Sequence, residues 1–147
     1  MNWSEYLSGF AEHAAKKSKD ITQVGAVLTK DRSVLVTGFN GPPRGVQDRP
    51  DRLERPRKYL FAAHAEMNVI STAARLGVRT EGCTLYVTHS PCSTCARLII
   101  QAGIERVVSG PGETSMPKEE FEAAAEMFSE AGVQVFVQAG DALYSRT

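Results

Sequence analysis

Cysteine, histidine and long apolar runs are all scarce in this chain of 147 residues. It contains three cysteines and three histidines, and three cysteines do not make the disulfide framework of a small secreted protein. No run approaches the roughly 18 apolar residues that a membrane-spanning helix requires. Residues 1–5 lack the basic and apolar regions of a secretion signal. We therefore expect a cytoplasmic protein whose cysteines stay reduced.

The chain also lacks a net charge, because 17 Lys and Arg residues balance 17 Asp and Glu residues. A neutral chain has no overall attraction to nucleic acid or another polyanion, which favours a small-molecule substrate. No linker, internal repeat or low-complexity tract interrupts the sequence, and its 42% hydrophobic content is that of a globular protein. We expect residues 1–147 to form a single domain.

Two short motifs contain the residues most suited to chemistry. Residues 64–66 read His-Ala-Glu and residues 91–95 read Pro-Cys-Ser-Thr-Cys. One histidine and a Cys-x-x-Cys pair suit a catalytic zinc whose fourth position is open to water. Glu66 is the kind of carboxylate that moves protons beside such a metal without ligating it. The sequence therefore predicts one zinc per chain, with His64, Cys92 and Cys95 as its ligands.

The surrounding pattern predicts an α/β fold in the order αββαβαβαβ, with a mixed five-stranded sheet covered by helices. Apolar residues at helical spacing place residues 64–66 on the first turn of a helix that ends at Gly77, and place the two motif cysteines at the start of the next helix. Strands joined through a helix are most simply parallel. The remaining predicted elements are helices from Trp3 to about Ser18 and from Pro117 to Gly132, and strands Val24–Thr29, Ser33–Phe39, Thr84–Thr88, Arg106–Ser109 and Val133–Val137.

The segment from Gly41 to Lys58 is predicted to be one long loop, because its five proline and glycine interruptions disfavour regular structure. It contains six basic and three acidic residues. Two interpretations stay open: a solvated surface loop joined by ion pairs, or a contact for a phosphate or an effector.

These motifs and their order resemble the cytidine deaminase-like superfamily, with its three-layer fold, and more closely its deoxycytidylate (dCMP) deaminase branch. The resemblance extends from about Leu7 to Val137. A helix precedes the last predicted strand, and residues 64–68 read His-Ala-Glu-Met-Asn, similar to the His-Ala-Glu-x-Asn of dCMP deaminases. Further similar segments are residues 24–27, 38–41 and 85–88.

The resemblance implies roles for residues outside the two motifs. Asn40 would contact the sugar, Ala65 and Ser90 would hold the base edge largely through backbone groups, and Ser18 with Lys19 would lie near the phosphate. The segment containing Gly38, Phe39, Asn40 and Gly41, with Arg44 nearby, is where family members can bind a nucleoside triphosphate effector with Mg²⁺. The resemblance also implies a homo-oligomer, specifically a hexamer. A second, structural zinc found in some members is not expected, because the loop before residue 64 has no His or Cys.

By this resemblance the chain is expected to deaminate a cytosine deoxynucleotide, converting dCMP to dUMP and ammonia, with Glu66 moving protons between water, the N3 atom of the ring and the leaving amine. One alternative is a nucleic-acid deaminase, acting on tRNA adenosine or polynucleotide cytidine, or another base deaminase. Zero net charge and the absence of aromatic residues within the basic loop argue against single-strand binding. Another is a zinc-binding module without catalysis, against which the presence of Glu66 argues.

Overall fold

The computed structural model describes all 147 residues, and a six-stranded sheet in the order β2-β1-β3-β4-β5-β6 crosses its centre. The pairs β3–β4 and β4–β5 are parallel, and the other three pairs are antiparallel. The strands are β1 (Gly25–Lys30), β2 (Ser33–Phe39), β3 (Thr84–His89), β4 (Arg106–Gly112), β5 (Gln134–Ala139) and β6 (Ala142–Ser145).

Helices cover both faces of the sheet, so the molecule has the three layers and the mixed α/β architecture that the sequence predicts. The helices are α1 (Trp3–Ala15), α2 (Lys58–Phe61), α3 (Ala65–Leu76), α4 (Ser93–Gln101) and α5 (Lys118–Ala131). None of them combines the length and apolarity needed to span a lipid bilayer.

The alternation of side chains along the strands divides the buried residues into two clusters. On one face, Leu7 and Ala11 of α1 pack against Val27, Tyr86 and Val108. The other face packs against α3, α4 and α5 and forms the larger cluster. Its sheet residues include Ala26, Leu28, Leu85, Val87 and Val107. Val27, between Ala26 and Leu28, and Tyr86, between Leu85 and Val87, belong to the cluster on the opposite face, because successive side chains of a strand point to opposite sides of the sheet.

Close packing between α1 and β1 requires glycine at position 25. A Cβ atom added there would lie 2.0 Å from the carbonyl oxygen of Ala11 and 2.4 Å from the backbone nitrogen of Ala15. Only a residue without a side chain allows the two backbones to approach this closely. The start of β1 is therefore held directly against the end of α1.

The prediction of five strands was wrong by one, because β6 follows β5 through the two-residue turn Gly140–Asp141. Ala139 pairs with Ala142, and Gly140 has a φ of 59°. A glycine followed by Asp is a recognised two-residue hairpin connection, since glycine adopts positive φ without strain. The extra strand lies at the edge of the sheet, where its residues are mostly exposed.

Two further boundaries differ from the sequence prediction. The first helix ends at Ala15, three residues before Ser18, whose hydroxyl instead donates to the backbone oxygen of Asn40. The proline-rich segment is not wholly irregular, since it contains a 3₁₀ turn over Pro50–Arg52 and the start of α2. Proline is favoured at the first position of a helical turn, where its missing N–H has no partner to lose.

The topology brings the starts of α3 and α4 to one end of the sheet. The carboxyl end of β3 leads into α4, and the end of β2 leads through the long loop into α3. The loop is fixed at both of its ends by an isolated antiparallel bridge between Gly41 and Ala63. The carboxyl ends of parallel strands are the usual location of ligand sites in α/β proteins.

Candidate active site

Three candidate metal ligands meet at the N-termini of two helices. His64 precedes α3 and Cys92 precedes α4, and both have extended backbone, with φ and ψ of −71° and 157° and of −79° and 175°. Cys95 lies one turn further along α4. The two cysteines therefore share one side of the first turn, as their i, i+3 spacing predicts.

The distances between the ligand atoms fit a single metal ion. Nδ1 of His64 lies 3.3 Å from Sγ of Cys95 and 3.5 Å from Sγ of Cys92, and the three ligand atoms all lie within 4.8 Å of one another. Typical Zn–S and Zn–N bond lengths in a tetrahedral site place nitrogen and sulfur ligands about 3.6 Å apart. The residues present therefore fit zinc, with Nδ1 as the ring atom that faces it.

The electrostatics of the two thiols also favour a cation. A hydrogen bond from Cys95 lowers the pKa of Cys92 to about 4. The same contact, together with burial, raises the pKa of Cys95 well above the usual range of a thiol. A second thiolate beside the first would be repelled by it. A divalent cation between the sulfurs removes that repulsion and allows both to bind as thiolates.

Glu66 is a buried carboxyl group outside this three-residue cluster. It lies on the first turn of α3, its residue is 4% exposed, and burial raises its pKa to about 7. A carboxyl group with a pKa near neutrality both accepts and donates protons readily at physiological pH. Hydrogen bonding to Cys92 raises the pKa of His64, so the imidazole also interacts with the negative charge of the site.

Helix α5 supports the start of α4 from outside the site. Oε1 of Glu120 accepts hydrogen bonds from the backbone N–H of Ser93, at 3.2 Å, and from its hydroxyl group, at 2.7 Å. No side chain at the N-cap position itself provides such an acceptor, because Cys92 occupies it. Glu120 thus satisfies an unpaired N–H of the helix end and fixes the turn that carries both cysteines.

A cavity opens directly over the cluster and spans about 720 Å³ when the open solvent at its mouth is included. His64, Glu66 and Cys92 are among its lining residues. Three further residues that the sequence resemblance singled out also line it, namely Asn40, Ala65 and Ser90. The structure therefore brings the zinc motif and most of the expected substrate contacts together in one cavity.

Asn40 joins the end of β2 to residues 22–24 at this cavity. Its Oδ1 accepts from the backbone N–H of Val24 at 2.9 Å, and its Nδ2 donates to the carbonyl oxygen of Thr22 at 2.9 Å. Each group keeps capacity for one more hydrogen bond, since an amide oxygen has two lone pairs and an amide nitrogen two protons. Asn40 thus holds the wall of the cavity and still has donor and acceptor capacity for a ligand.

Ser90 has an unpaired polar atom at the cavity. Its Oγ is buried and has no hydrogen-bond partner in the protein. A buried hydroxyl group without a partner is unusual in folded proteins and indicates that a ligand or water supplies one.

Other residues from the resemblance lie away from the cavity lining. Ser18 is buried and bonded to the backbone of Asn40, and Lys19 pairs with Asp48 at 3.1 Å. Asn68, which resembles the family motif, donates from Nδ2 to the carbonyl oxygen of Phe39 at 2.7 Å, so it holds the end of β2 against α3. Also outside the lining are Gly38, Phe39, Gly41 and Arg44 of the expected effector segment.

Several cavity residues were not anticipated. Lys58 and Asp20 form a buried ion pair, with Nζ 3.0 Å from Oδ1, and Arg55 lies at the same wall. The basic composition of residues 41–58 was the only sequence signal for Lys58 and Arg55, and Asp20 had none. His89, whose Nδ1 lies 2.8 Å from Oγ1 of Thr88, has no such signal. Others on the lining are Thr22, Val24, Tyr59, Ala62, Thr114, Ser115 and Met116.

A mixed sheet between helical layers, with a His and two Cys at two helix N-termini and a buried Glu beside them, defines a zinc-dependent deaminase. The family model for the cytidine and deoxycytidylate deaminase zinc-binding region matches residues 1–111. The chain belongs to this family.

Individual relatives agree with this membership over most of the chain. An uncharacterised deaminase from the luxG 3′ region of Aliivibrio fischeri is 45% identical over 138 residues, covering 90% of this chain and 91% of that protein. Deoxycytidylate deaminase of Homo sapiens is 36% identical over 141 residues, covering 90% of this chain and 78% of the human protein. The crystal structure of dCMP deaminase from the cyanophage S-TIM5 in complex with dCMP and dUMP superposes with a TM-score of 0.77 at 28% identity, covering 92% and 96% of the two chains.

Proposed function

We propose that this chain catalyses the hydrolytic deamination of dCMP to dUMP and ammonia, within pyrimidine nucleotide metabolism. The observation that carries the proposal is the cavity in which Glu66 lies beside the His64, Cys92 and Cys95 cluster. The similarity to human deoxycytidylate deaminase over 90% of the chain supports dCMP as the substrate.

In this proposal His64, Cys92 and Cys95 hold one zinc ion per chain. Zinc bound there supplies the Lewis acidity that makes water a nucleophile near neutral pH. The chain's own contribution begins with Glu66, whose carboxylate takes one proton from the attacking water and transfers it to N3 of the cytosine ring. This transfer accompanies the addition of the water oxygen to C4.

Glu66 then completes the exchange of groups at C4. It takes the remaining proton of the added hydroxyl group and delivers it to the amino group, so that the C–N bond breaks and ammonia leaves. The ring retains a carbonyl oxygen at C4 and a proton at N3, which is uracil. One water is consumed and one ammonia is formed. The near-neutral pKa of Glu66 suits a group that must accept and donate in one turnover.

The remaining cavity residues would orient the base and sugar. In this proposal the Oγ of Ser90, which has no partner in the protein, and the backbone of Ala65 contact the polar edge of the base, and Asn40 uses its remaining hydrogen-bonding capacity for the sugar. Fixing the base at a set distance from the reacting water removes much of the entropic barrier to the reaction. The three cysteines form no disulfide, so the thiols of Cys92 and Cys95 are free to bind a metal.

The substrate proposal predicts a strong preference for the monophosphate. Deoxycytidine is expected to have a kcat/KM lower than that of dCMP by a factor on the order of 10² or more, because about two charge-assisted hydrogen bonds to the phosphate are lost. Steady-state kinetics with dCMP, dCTP, deoxycytidine and a cytosine-containing oligonucleotide, all at one salt concentration, measures this. If deoxycytidine or the oligonucleotide matches dCMP, the proposal is wrong, whereas faster turnover of dCTP would revise only the phosphate preference.

We also propose that Gly38–Gly41 and Arg44 form an effector site for a nucleoside triphosphate with Mg²⁺.

We further propose that the chain forms a homo-oligomer, with a hexamer as the expected form. Trp3 and Tyr6 on α1, and Leu143 and Tyr144 on β6, are exposed apolar residues that a second copy could cover. Light scattering at micromolar concentration should give a multiple of the 16.0 kDa chain mass. A monomer mass, both with and without dCTP and Mg²⁺, would contradict this arrangement.

A further inference from the structure

The cavity contains two long cationic side chains besides its histidines, and only one of them is neutralised. Nζ of Lys58 lies 3.0 Å from Oδ1 of Asp20, and the side chains of the two residues are 10% and 3% exposed. Oδ1 of Asp20 also accepts the backbone N–H of Thr22 at 2.9 Å. Lys58 and Asp20 therefore compensate each other's charge and brace the cavity wall, and neither offers a free charge to a ligand.

Arg55 is the second cation, and its protein partners are neutral. Its Nε donates to Oη of Tyr59 at 2.7 Å, and its Nη2 donates to Oγ of Ser115. It forms no ion pair with any carboxylate of the chain. All three residues line the cavity. A full positive charge is thus held at the cavity by two hydroxyl groups that leave it uncompensated.

Neighbouring arginines in the same loop are used differently. Arg49 and Arg57 both bind Oδ2 of Asp51 at 3.0 Å, and the guanidinium groups of Arg52 and Arg57 lie over the ring of Phe61 at 4.4 and 4.9 Å from its centre. These three side chains stabilise the conformation of the loop through contacts with nearby residues. Arg55 alone among the loop arginines extends to the cavity lining.

We propose that Arg55, oriented by Tyr59 and Ser115, binds the 5′-phosphate of the substrate nucleotide. A guanidinium group provides paired N–H donors that match phosphate oxygens, and such charge-assisted hydrogen bonds are the stronger kind. The hydroxyl proton of Ser115 remains available to the same anion, because its oxygen serves as the acceptor for Arg55. This inference rests on the proposed function, since it requires a substrate with a terminal phosphate.

With this assignment, Arg55 provides a local positive charge for the phosphate, although the net charge of the whole chain is zero. The assignment also moves the expected phosphate contact from Ser18 and Lys19, which follow α1, to the C-terminal part of the long loop. Lys19 lies outside the lining and is paired with Asp48, whereas Arg55 faces the same cavity as the metal cluster. A nucleotide with its base at Glu66 can then extend its phosphate toward Arg55 within the same cavity.

The test compares two variants on two substrates. Arg55→Ala should lower kcat/KM for dCMP by a factor on the order of 10 to 10², mainly through KM, because a hydrogen-bonded charge is lost. Its effect on deoxycytidine, which has no phosphate, should be at least tenfold smaller. Arg55→Lys should recover part of the activity on dCMP. The matched control is Arg49→Ala, which removes an arginine of the same loop outside the cavity and should behave like the wild type with both substrates.

Inhibition constants for dUMP and deoxyuridine provide a second measurement that does not depend on turnover of the nucleoside. Arg55→Ala should weaken inhibition by dUMP but not inhibition by deoxyuridine. Equal losses on nucleotide and nucleoside, or no loss on dCMP, would overturn the role of Arg55. A wild-type enzyme that fails to deaminate dCMP would instead overturn the proposed function, so the two failures are distinguishable.

Discussion

Glutamine in place of Glu66 is expected to lower kcat for dCMP by a factor on the order of 10² to 10⁴, the usual contribution of a general acid and base. This corresponds to about 3 to 5 kcal/mol of activation free energy. Glutamine fills the same buried space at 4% exposure but cannot accept and return a proton. The expected variant is therefore folded and metal-loaded, yet nearly inactive.

Metal content and activity must be measured on the same preparations of Glu66→Gln. Zinc should remain at one ion per chain, because the carboxyl group lies outside the cluster of His64, Cys92 and Cys95. Glu119→Gln is the matched control, since it makes the same chemical change at an exposed position of α5. Activity of Glu66→Gln within about tenfold of the wild type, a difference of no more than about 1.4 kcal/mol, would refute the role of Glu66.

Serine in place of Cys92 is expected to abolish both zinc binding and measurable deamination. The hydroxyl group of serine stays protonated at neutral pH and is a poor zinc ligand, whereas Cys92 has a pKa of about 4 and is already a thiolate. Loss of one ligand leaves His64 and Cys95, too few to hold the metal at the helix ends. Chelation of the wild-type enzyme should give the same inactive state, and adding zinc should restore only the wild type.

Cys83→Ser is the control for this experiment. Cys83 is buried at 1% exposure, and its thiol donates to the carbonyl oxygen of Arg79 at 3.4 Å, a bond that a serine hydroxyl group can also make. This variant should keep one zinc per chain and near wild-type activity. Full zinc content in Cys92→Ser, or two zinc ions per chain in the wild type, would contradict the proposed metal site.

Local spacing predicted the chemistry of the site because both motifs are short. His64 and Glu66 are two residues apart, and Cys92 and Cys95 are three apart, so the residues of each motif share a helix start in any fold that forms that helix. The periodicity of apolar residues predicted those helices and five of the six strands. β6 was missed because it lies at an exposed edge after a two-residue turn, where burial imposes little pattern.

The walls of the cavity could not be read in the same way, since their contacts join distant parts of the chain. Asp20 and Lys58 are 38 residues apart, and Arg55 and Ser115 are 60 apart. Neither pair has a spacing that marks it in the sequence, and Thr114 and Ser115 lie in a connection with no motif. The sequence of a charged loop does not distinguish arginines that bind Asp51 from an arginine that faces a ligand.

The sequence by itself determined the metal-binding residue types, their placement at helix N-termini and the layered α/β architecture. These depend on local propensity, apolar periodicity and ligand preference, which act over a few residues. Only the tertiary structure decided which residues share a cavity, because that depends on how β1, β2 and β3 bring the 18–24, 40–63 and 89–92 segments to one end of the sheet. Hence it was the packing that left Ser90 Oγ without a partner, paired Lys58 with Asp20, and turned the uncompensated charge of Arg55 toward the site.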